Sequence, residues 1–301
     1  MDKMKIQSLS ICCPAKKCIN HCATCTARQH TNPYTDKYSS LKKCDSFKYW
    51  EDVILRMKLV REHGCDTIML TGSNEPQQNR RWLESLFLAM KTLPNPYPNI
   101  EMQTTGAFMD FDYIQYLHAC GLNTLAISTF NIFDDAVNRK IEQCADTKLC
   151  IADLCENAYY FDMDIRLCIN VTDWALCGHT MATPRQSVED ILDRCAELHA
   201  KQVTFRKMWS NKGTPEAEWI SKNCTHDEEI LTAVKEIVTE KGTLLKTLPY
   251  GAGLYKYKGF TIVVDTDSMA KEETNTALKY VIIREDGKAY SSWDDPSSLI
   301  F

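Results

Sequence analysis

The 301-residue chain lacks several features that would place it in a well-defined class of protein. No apolar stretch approaches the ~18 residues of a membrane-spanning helix, and the polar start at residues 1–4 is not followed by the apolar core of a signal peptide. Positive charge is not in excess, since 35 lysines and arginines stand against 40 aspartates and glutamates. We therefore expect a cytoplasmic protein that binds neither nucleic acid nor a membrane.

Cysteine is the residue that the chain has in unusual number. There are 15 cysteines, and none follows Cys224. Hydrophobic residues at 44% and charged residues at 25% are ordinary values for a globular protein, which excludes global disorder. Disulfides are rare in the cytoplasm, where clustered cysteines more often bind metal or take part in redox chemistry.

Short apolar runs alternate with segments of helical period over the first 241 residues. This alternation predicts an α/β fold, a partial (β/α)6 TIM-like barrel with a parallel sheet inside and helices outside. Functional residues of such folds lie at the carboxyl ends of the strands. The six predicted strands are Lys5–Ile11, Thr67–Leu70, Ile100–Thr104, Thr124–Ile127, Arg166–Val171 and Gln202–Phe205.

Residues 242–301 have a different pattern and are expected to form a small C-terminal β extension that packs on or caps the barrel. Phe260–Val264 and Lys279–Arg284 are predicted as antiparallel strands, and 285–288 (EDGK) as a hairpin turn. Within the barrel, the spacing of Ser187 and Asp190 predicts a capping box at the start of a helix. The spacing of Thr225 and Glu228 predicts another.

The loop after the first predicted strand carries the motif with chemical meaning. Cys18, Cys22 and Cys25 have the spacing C-x3-C-x2-C. Three thiolates can hold three irons of a four-iron cluster and leave the fourth iron open to a small molecule. Two alternatives stay open. A zinc site could take His21 or His30 as its fourth ligand, and Cys13 could complete a closed iron–sulfur centre.

This cysteine motif, followed about fifty residues later by 71–76 (TGSNEP), resembles the radical S-adenosylmethionine (SAM) superfamily. The resemblance covers roughly residues 5–240 and implies the radical SAM type of partial barrel, with a [4Fe–4S] cluster and SAM as cofactors. Cys18, Cys22 and Cys25 would then be the catalytic residues and the metal ligands. The sequence departs from the family at Thr24, where an aromatic residue is usual, and at Ser73 and Asn74 within the family's GGEP motif.

The resemblance also implies a set of cofactor-binding residues at the ends of the strands. The segment 71–76 would hold the methionine amino group, and 103–106 (QTTG) resembles the family's T-N-G turn. In that family a serine at the end of the fourth strand commonly lies near the ribose and carboxylate of SAM. The position of Arg206 after the sixth strand, by itself, indicates a contact with the substrate or with the SAM carboxylate. The implied SAM contacts are Gly72, Ser73, Asn74, Glu75, Thr105, Ser128 and Arg206.

The implied reaction is cleavage of SAM to a 5′-deoxyadenosyl radical, which abstracts hydrogen from a small polar metabolite. A flavodoxin or ferredoxin-type protein would be the electron donor. The compact form with one cluster resembles queuine lyase, which implies a 7-deazaguanine derivative as the substrate and queuosine salvage as the context. Candidate substrate contacts at strand ends and in a later Gly-rich turn are Asn170, Asp173, Trp209 and Tyr250.

Two other functions are compatible with the sequence. The first is a radical SAM activase or peptide-modifying enzyme. It is disfavoured because many peptide-modifying members carry a C-terminal auxiliary-cluster domain, which needs several cysteines after position 224. The second is a non-enzymatic zinc or iron–sulfur binding module.

Overall fold

A computed structural model describes residues 5–30, 46–176, 186–248, 251–265, 273–274, 277–293 and 295–301. Its centre is one 12-stranded mixed sheet. The strands, numbered in chain order, are β1 Lys5–Cys12, β2 Thr67–Thr71, β3 Asn99–Thr104, β4 Thr124–Thr129, β5 Asp164–Val171, β6 Ala200–Lys207, β7 Thr243–Thr247, β8 Gly253–Tyr257, β9 Phe260–Asp265, β10 Glu273–Thr274, β11 Ala277–Ile283 and β12 Ala289–Tyr290.

The helices alternate with the first six strands and cover the outer face of the sheet. All six predicted strands are present, each within two residues of its predicted start and end. The helices, in chain order, are α1 Thr26–Gln29, α2 Phe47–Glu62, α3 Arg80–Met90, α4 Phe111–Cys120, α5 Asp135–Glu142, α6 Ile151–Tyr160, α7 Val188–Glu197, α8 Pro215–Asn223 and α9 Asp227–Lys241.

The order of strands along the sheet is β10-β11-β1-β2-β3-β4-β5-β6-β9-β8-β7, and β12 pairs with β11. From β11 through β1–β6 to β9, every neighbouring pair is parallel. The sheet does not close on itself, so it is a partial barrel, as predicted. The carboxyl ends of β1–β6 therefore meet at one rim.

Both predicted strands of residues 242–301 are present, as β9 and β11. Each has an antiparallel neighbour, since β9 pairs with β8, and β11 pairs with β10 and β12, but each also joins the barrel sheet. β9 is parallel to β6, whereas β11 is parallel to β1 at the opposite side of the sheet. Each strand finds an unpaired edge of the barrel sheet, which satisfies more backbone groups than an isolated two-stranded hairpin would. The predicted turn at 285–288 is confirmed, because Arg284 N–H donates to the Lys288 carbonyl and Gly287 adopts a φ of +80°.

Local capping explains why several helices begin where they do. Ser187 and Asp190 form the predicted capping box of α7. The second predicted capping box is wrong, because α9 begins at Asp227 and the Thr225 hydroxyl donates to the distant Asp173 carboxylate at 2.7 Å. The Thr225 hydroxyl thus donates to a tertiary acceptor instead of accepting from a backbone N–H of the first helical turn, as the pattern suggested.

Successive side chains along each barrel strand point alternately toward the helices and toward the lumen, and the two sides differ in polarity. Outward side chains such as Leu9, Leu70 and Leu125 pack beneath the helices and are fully buried. Inward positions of β3 and β5 are polar, and Glu101 accepts two hydrogen bonds from Arg166 Nη1, at 2.9 and 3.0 Å. The lumen of the partial barrel is therefore polar. Among the residues that the structure describes, no helix combines the length and apolar character needed to cross a membrane.

Candidate active site

A cleft of about 1220 Å³ runs from the carboxyl ends of the strands down the lumen of the partial barrel. It is lined from both sides of the open sheet, with Lys246 and Thr247 on β7 at one side and Lys279 and Tyr280 on β11 at the other. Most of the predicted site residues lie in its wall. They are Cys22, Cys25, Gly72, Ser73, Asn74, Glu75, Thr105, Ser128, Asn170, Arg206 and Trp209.

The cysteine loop after β1 is fastened to the barrel on one side by side-chain amides. Gln78 accepts from Ile19 N–H at 3.1 Å through Oε1 and donates to the Lys17 carbonyl at 2.6 Å through Nε2. The amide of Asn20 donates to the Thr105 hydroxyl at 2.8 Å. Because these contacts are to backbone and buried groups, they hold the loop in a fixed position against the ends of β2 and β3.

The other side of the same loop is fastened to the end of α5. His21 N–H donates to the Glu142 carbonyl at 3.0 Å, and Ala23 N–H donates to the Ile141 carbonyl at 2.8 Å. These two bonds flank Cys22 and bring it against the helix end. The Arg28 guanidinium also donates to the Cys22 carbonyl.

The thiols of the loop are partly buried and lie close to negatively charged side chains. Burial raises the pKa of the Cys22 thiol well above its ordinary value, and the nearby charges of Glu142 and Glu75 add to the effect. Burial also raises the pKa of Cys18, although the Asn20 N–H, 3.4 Å from its sulfur, partly offsets this. Thiolates in this setting would be stabilised by cationic iron.

The cysteine loop supplies three free thiols, the number that a four-iron cluster with one open iron would use. Among the described residues, no group of three or more His, Cys, Asp or Glu side chains converges to hold one metal ion. A four-iron cluster does not need such convergence, because each thiolate binds a different iron. Cys13 is buried in the hydrophobic core behind the sheet, so it does not supply a fourth thiolate to the cleft.

The loop after β2 is the most densely hydrogen-bonded part of the cleft. Glu75 is 9% exposed, and its carboxylate accepts from the Thr104 hydroxyl at 2.6 Å, Gln77 Nε2 at 3.0 Å and Thr105 N–H at 3.1 Å. Asn20 Nδ2 also donates to Glu75 Oε1, at 3.5 Å. These donors use most of the acceptor capacity of the carboxylate, so the protein itself orients Glu75.

Gly72 begins this loop under a steric constraint. Its φ is +130°, and a Cβ added there would lie 3.1 Å from the Cys12 Cα. A side chain at this position would therefore strain the backbone and crowd the end of β1. The close approach of the two strand ends brings the loop next to the cysteine motif.

Ser73 and Asn74 depart from the family motif, and the structure gives each a partner. The Ser73 hydroxyl donates to Glu285 Oε1 at 3.0 Å, and Asn74 Nδ2 donates to Ser73 Oγ at 3.2 Å. Glu285 is 7% exposed and belongs to the turn between β11 and β12. The C-terminal segment thus contacts the cleft directly.

The ends of β4, β5 and β6 supply the opposite wall. Asn170 and Arg206 are register partners across β5 and β6, and both line the cleft beside Ser128. The Arg206 Nε is buried and has no hydrogen-bond partner among the described residues. A cation with an unused donor at this position is suited to an anionic ligand group.

Trp209 lies in the wall near the cysteine loop. Gln29 Nε2 donates to its carbonyl at 3.2 Å, and its ring is 5.7 Å from that of His30. Because Gln29 is fully buried, it fixes the segment after β6 to the cysteine loop. The aromatic surface that the family places before the third cysteine is absent at Thr24, and Trp209 offers one nearby.

Two predicted substrate contacts are not placed in the cleft. Asp173 is 3% exposed and does not line the cleft, because its carboxylate is occupied by Thr225 N–H at 3.1 Å and His226 N–H at 2.9 Å. In this structure the Asp173 carboxylate holds the start of α9. Tyr250 lies outside the described residues. Cys18 lies in the same loop as the other two cysteines but is not among the residues that line the cleft.

Glu142 is a site residue that sequence reasoning missed. It is 1% exposed, lines the cleft, and neither carboxylate oxygen has a hydrogen-bond partner among the described residues. Burial, followed by the charges of Glu75 and Asp135, raises the pKa of its carboxyl well above the ordinary value. The only signal in the sequence is an acidic residue in the last turn of a helix, where the helix dipole disfavours negative charge.

No protein-family model and no curated protein sequence matches this chain. Among solved structures, it is similar to Streptococcus suis SuiB bound to S-adenosylmethionine, with a TM-score of 0.58 and 12% identity over 96% of this chain and 60% of SuiB. It is also similar to anSMEcpe bound to AdoMet and the Cp18Cys peptide, with a TM-score of 0.59 and 12% identity over 97% of this chain and 75% of that protein.

The chain spans less than two thirds of the length of SuiB. A second SuiB structure, bound to the precursor peptide SuiA, matches with a TM-score of 0.57 and 11% identity over the same shares of the two chains. At such low identity the similarity shows the fold. The chain has the α/β partial-barrel fold of the radical SAM enzymes.

Proposed function

We propose that this protein is a radical SAM enzyme, in which Cys18, Cys22 and Cys25 hold a [4Fe–4S] cluster. One observation carries the proposal: the cysteine loop is bound on one side to Glu75 of the TGSNEP loop and to Thr105 after β3, and on the other side to the end of α5, at the rim where the strand ends meet. The cluster would supply one electron to SAM, whose cleavage gives methionine and a 5′-deoxyadenosyl radical that abstracts hydrogen from the substrate.

The residues of the chain would bind and orient the reactants. Backbone groups of 72–74, held in place by the Glu75 network, would contact the methionine amino group. Arg206, with its unused buried donor, would bind the carboxylate. The ring of Trp209 would cover the adenine and exclude water from the reacting atoms.

We infer that the substrate is a peptide segment rather than a free metabolite. The cleft volume of about 1220 Å³ exceeds the ~300–1,000 Å³ of usual small-molecule pockets, and the cleft is lined from both sides of the open sheet. Its size leaves space for a chain beside SAM. The peptides bound to SuiB and anSMEcpe in the similar structures support this inference.

A small polar metabolite such as queuine is the second candidate. Asn170 and Trp209 line the cleft and offer a hydrogen-bonding amide and a stacking surface, which a 7-deazaguanine ring would use. Such a substrate would make the enzyme a lyase that serves queuosine salvage. In either case the electron donor is proposed to be a flavodoxin or ferredoxin-type protein.

The cluster assignment is tested by replacing Cys18, Cys22 and Cys25 with alanine. After anaerobic reconstitution, the triple variant should lose its iron, its brown absorbance and the formation of 5′-deoxyadenosine from SAM. Cys150→Ala is the matched control, because that cysteine is partly buried and lies outside the cleft wall. A wild-type protein that is colourless and holds zinc would refute the proposal.

The substrate class is tested with the reconstituted wild-type enzyme, SAM and dithionite. One set of reactions receives a library of short synthetic peptides and another receives queuine. Formation of 5′-deoxyadenosine above the substrate-free rate, together with a mass change in a peptide, supports the peptide. Stimulation by queuine alone would favour the lyase and refute the peptide.

A further inference from the structure

Glu142 occupies an unusual position at the end of α5. It is the last residue of the helix, its backbone carbonyl holds His21 N–H beside the cysteine loop, and its side chain faces the cleft. The side chain is 1% exposed, yet neither carboxylate oxygen has a hydrogen-bond partner among the described residues. It is therefore a buried polar group whose bonding capacity is unused.

A buried carboxyl group without hydrogen-bond partners destabilises a folded protein, because it loses its hydration and gains no hydrogen bond from the protein. Glu75 and Asp173, two other buried carboxylates of this chain, each accept several hydrogen bonds from protein groups. Sites that are unfavourable for stability commonly serve binding or catalysis. The missing donor of Glu142 is therefore expected to come from a ligand in the cleft.

The charges around Glu142 indicate what kind of group that donor is. Glu75 and Asp135 are close enough to act on Glu142 electrostatically, and Glu142 in turn acts on Cys22. The carboxyl end of α5 adds the negative end of its helix dipole. All these contributions are negative, so a cationic ligand group would be stabilised at this position and an anionic one would be repelled.

We propose that Glu142 is the binding residue for a cationic group of the cleft's ligand. The inference deepens the proposed function and rests on it, because SAM carries two cations, the α-ammonium and the sulfonium. Glu142 then complements Arg206, which lines the same cleft and has an unused donor for the carboxylate of the same ligand.

The test compares Glu142→Gln with the wild type and with Glu156→Gln, an exposed glutamate on α6 that serves as the control. Iron content is matched, and the affinity for SAM is measured by equilibrium dialysis. Glu142→Gln should weaken SAM binding about ten- to hundredfold, as expected for a lost charged hydrogen bond. In the ligand-free protein its melting temperature should be equal to or higher than that of the wild type.

S-adenosylhomocysteine, which retains the ammonium but has a neutral sulfur, tells the two cations apart. If its affinity also falls in Glu142→Gln, Glu142 binds the ammonium; if only SAM binding weakens, Glu142 binds the sulfonium. Unchanged SAM affinity in Glu142→Gln, or a melting temperature several degrees lower with normal affinity, would overturn the inference. A wild type that binds no SAM would instead refute the proposed function itself.

Discussion

Two regions of the same cleft use buried carboxyl groups in opposite ways. At the end of β2, Glu75 receives hydrogen bonds from Thr104, Thr105 and Gln77 and is fixed by them. At the end of α5, Glu142 is more deeply buried but has no hydrogen-bond partner among the described residues. Both face the cysteine loop, and their electrostatic effects both reach Cys22.

The difference shows which acidic group is part of the framework and which is available to a ligand. The sequence motif singles out Glu75 as a direct SAM contact. The structure gives its carboxylate so many protein donors that its main effect is to shape the loop around it. The group with unused capacity is Glu142, which no motif marks.

The largest expected effect comes from removing the charge at Glu75. Glu75→Gln should lower the free energy of unfolding by about 3 kcal/mol, because an amide cannot accept from the same set of buried donors. Chemical denaturation of the metal-free protein measures this loss. Glu142→Gln is the matched variant and should lose little or nothing, so equal losses in both would remove the contrast between the two regions.

Asp173 extends the comparison to a carboxylate outside the cleft that, like Glu75, accepts several hydrogen bonds from the protein. Burial by itself raises the Asp173 pKa, but hydrogen bonds from Thr225 and His226 outweigh burial and hold it below the ordinary value. Asp173→Ala should lower the free energy of unfolding by about 2 kcal/mol at neutral pH, since the start of α9 loses its acceptor.

The sign of the pH dependence follows from that lowered pKa. The stabilising contribution of Asp173 is complete above its unfolded-state pKa of about 3.9 and is lost as pH falls through the lower folded-state value. The difference in stability between wild type and Asp173→Ala should therefore shrink below about pH 4. Denaturation at a series of pH values checks this, and a difference that stays constant into acid would contradict it.

The smallest expected effect concerns the contact between Ser73 and Glu285. A double-mutant cycle with Ser73→Ala and Glu285→Gln should give a coupling energy of about 1 kcal/mol, the usual value for one buried hydrogen bond. Amide hydrogen exchange of residues 72–75 should speed up in both single variants. Additive effects in the cycle would mean that the C-terminal turn does not fix the loop.

Much of the fold could be predicted from the sequence because its signals are local. Alternating apolar runs marked the six barrel strands, and the capping box of Ser187 and Asp190 marked a helix start that the structure confirms. The cysteine spacing marked the loop that lies in the cleft. Patterns of this kind depend on neighbours within a few residues, which the sequence displays directly.

Predictions that depended on distant contacts were less successful. Thr225 has the spacing of a helix cap, but its hydroxyl donates to Asp173, 52 residues earlier in the chain. β9 and β11 were predicted as antiparallel strands of a C-terminal extension, and the sequence did not show that each would also pair in parallel with an edge strand of the barrel, at opposite sides of the sheet. Tertiary partners that outcompete local ones cannot be deduced from spacing alone.

The sequence by itself determined the alternating strands and helices, the three closely spaced cysteines and the turn that carries Gly72 and Glu75. Only the tertiary structure decided that the acceptor sites of Glu75 are mostly filled, that Glu285 accepts a hydrogen bond from Ser73 and that Glu142 is buried with no hydrogen-bond partner in the described parts of the chain. The physical reason is that the partners of a buried polar group come from strands and helices far apart in the chain. Folding brings them together, and their number decides whether the group serves the fold or a ligand.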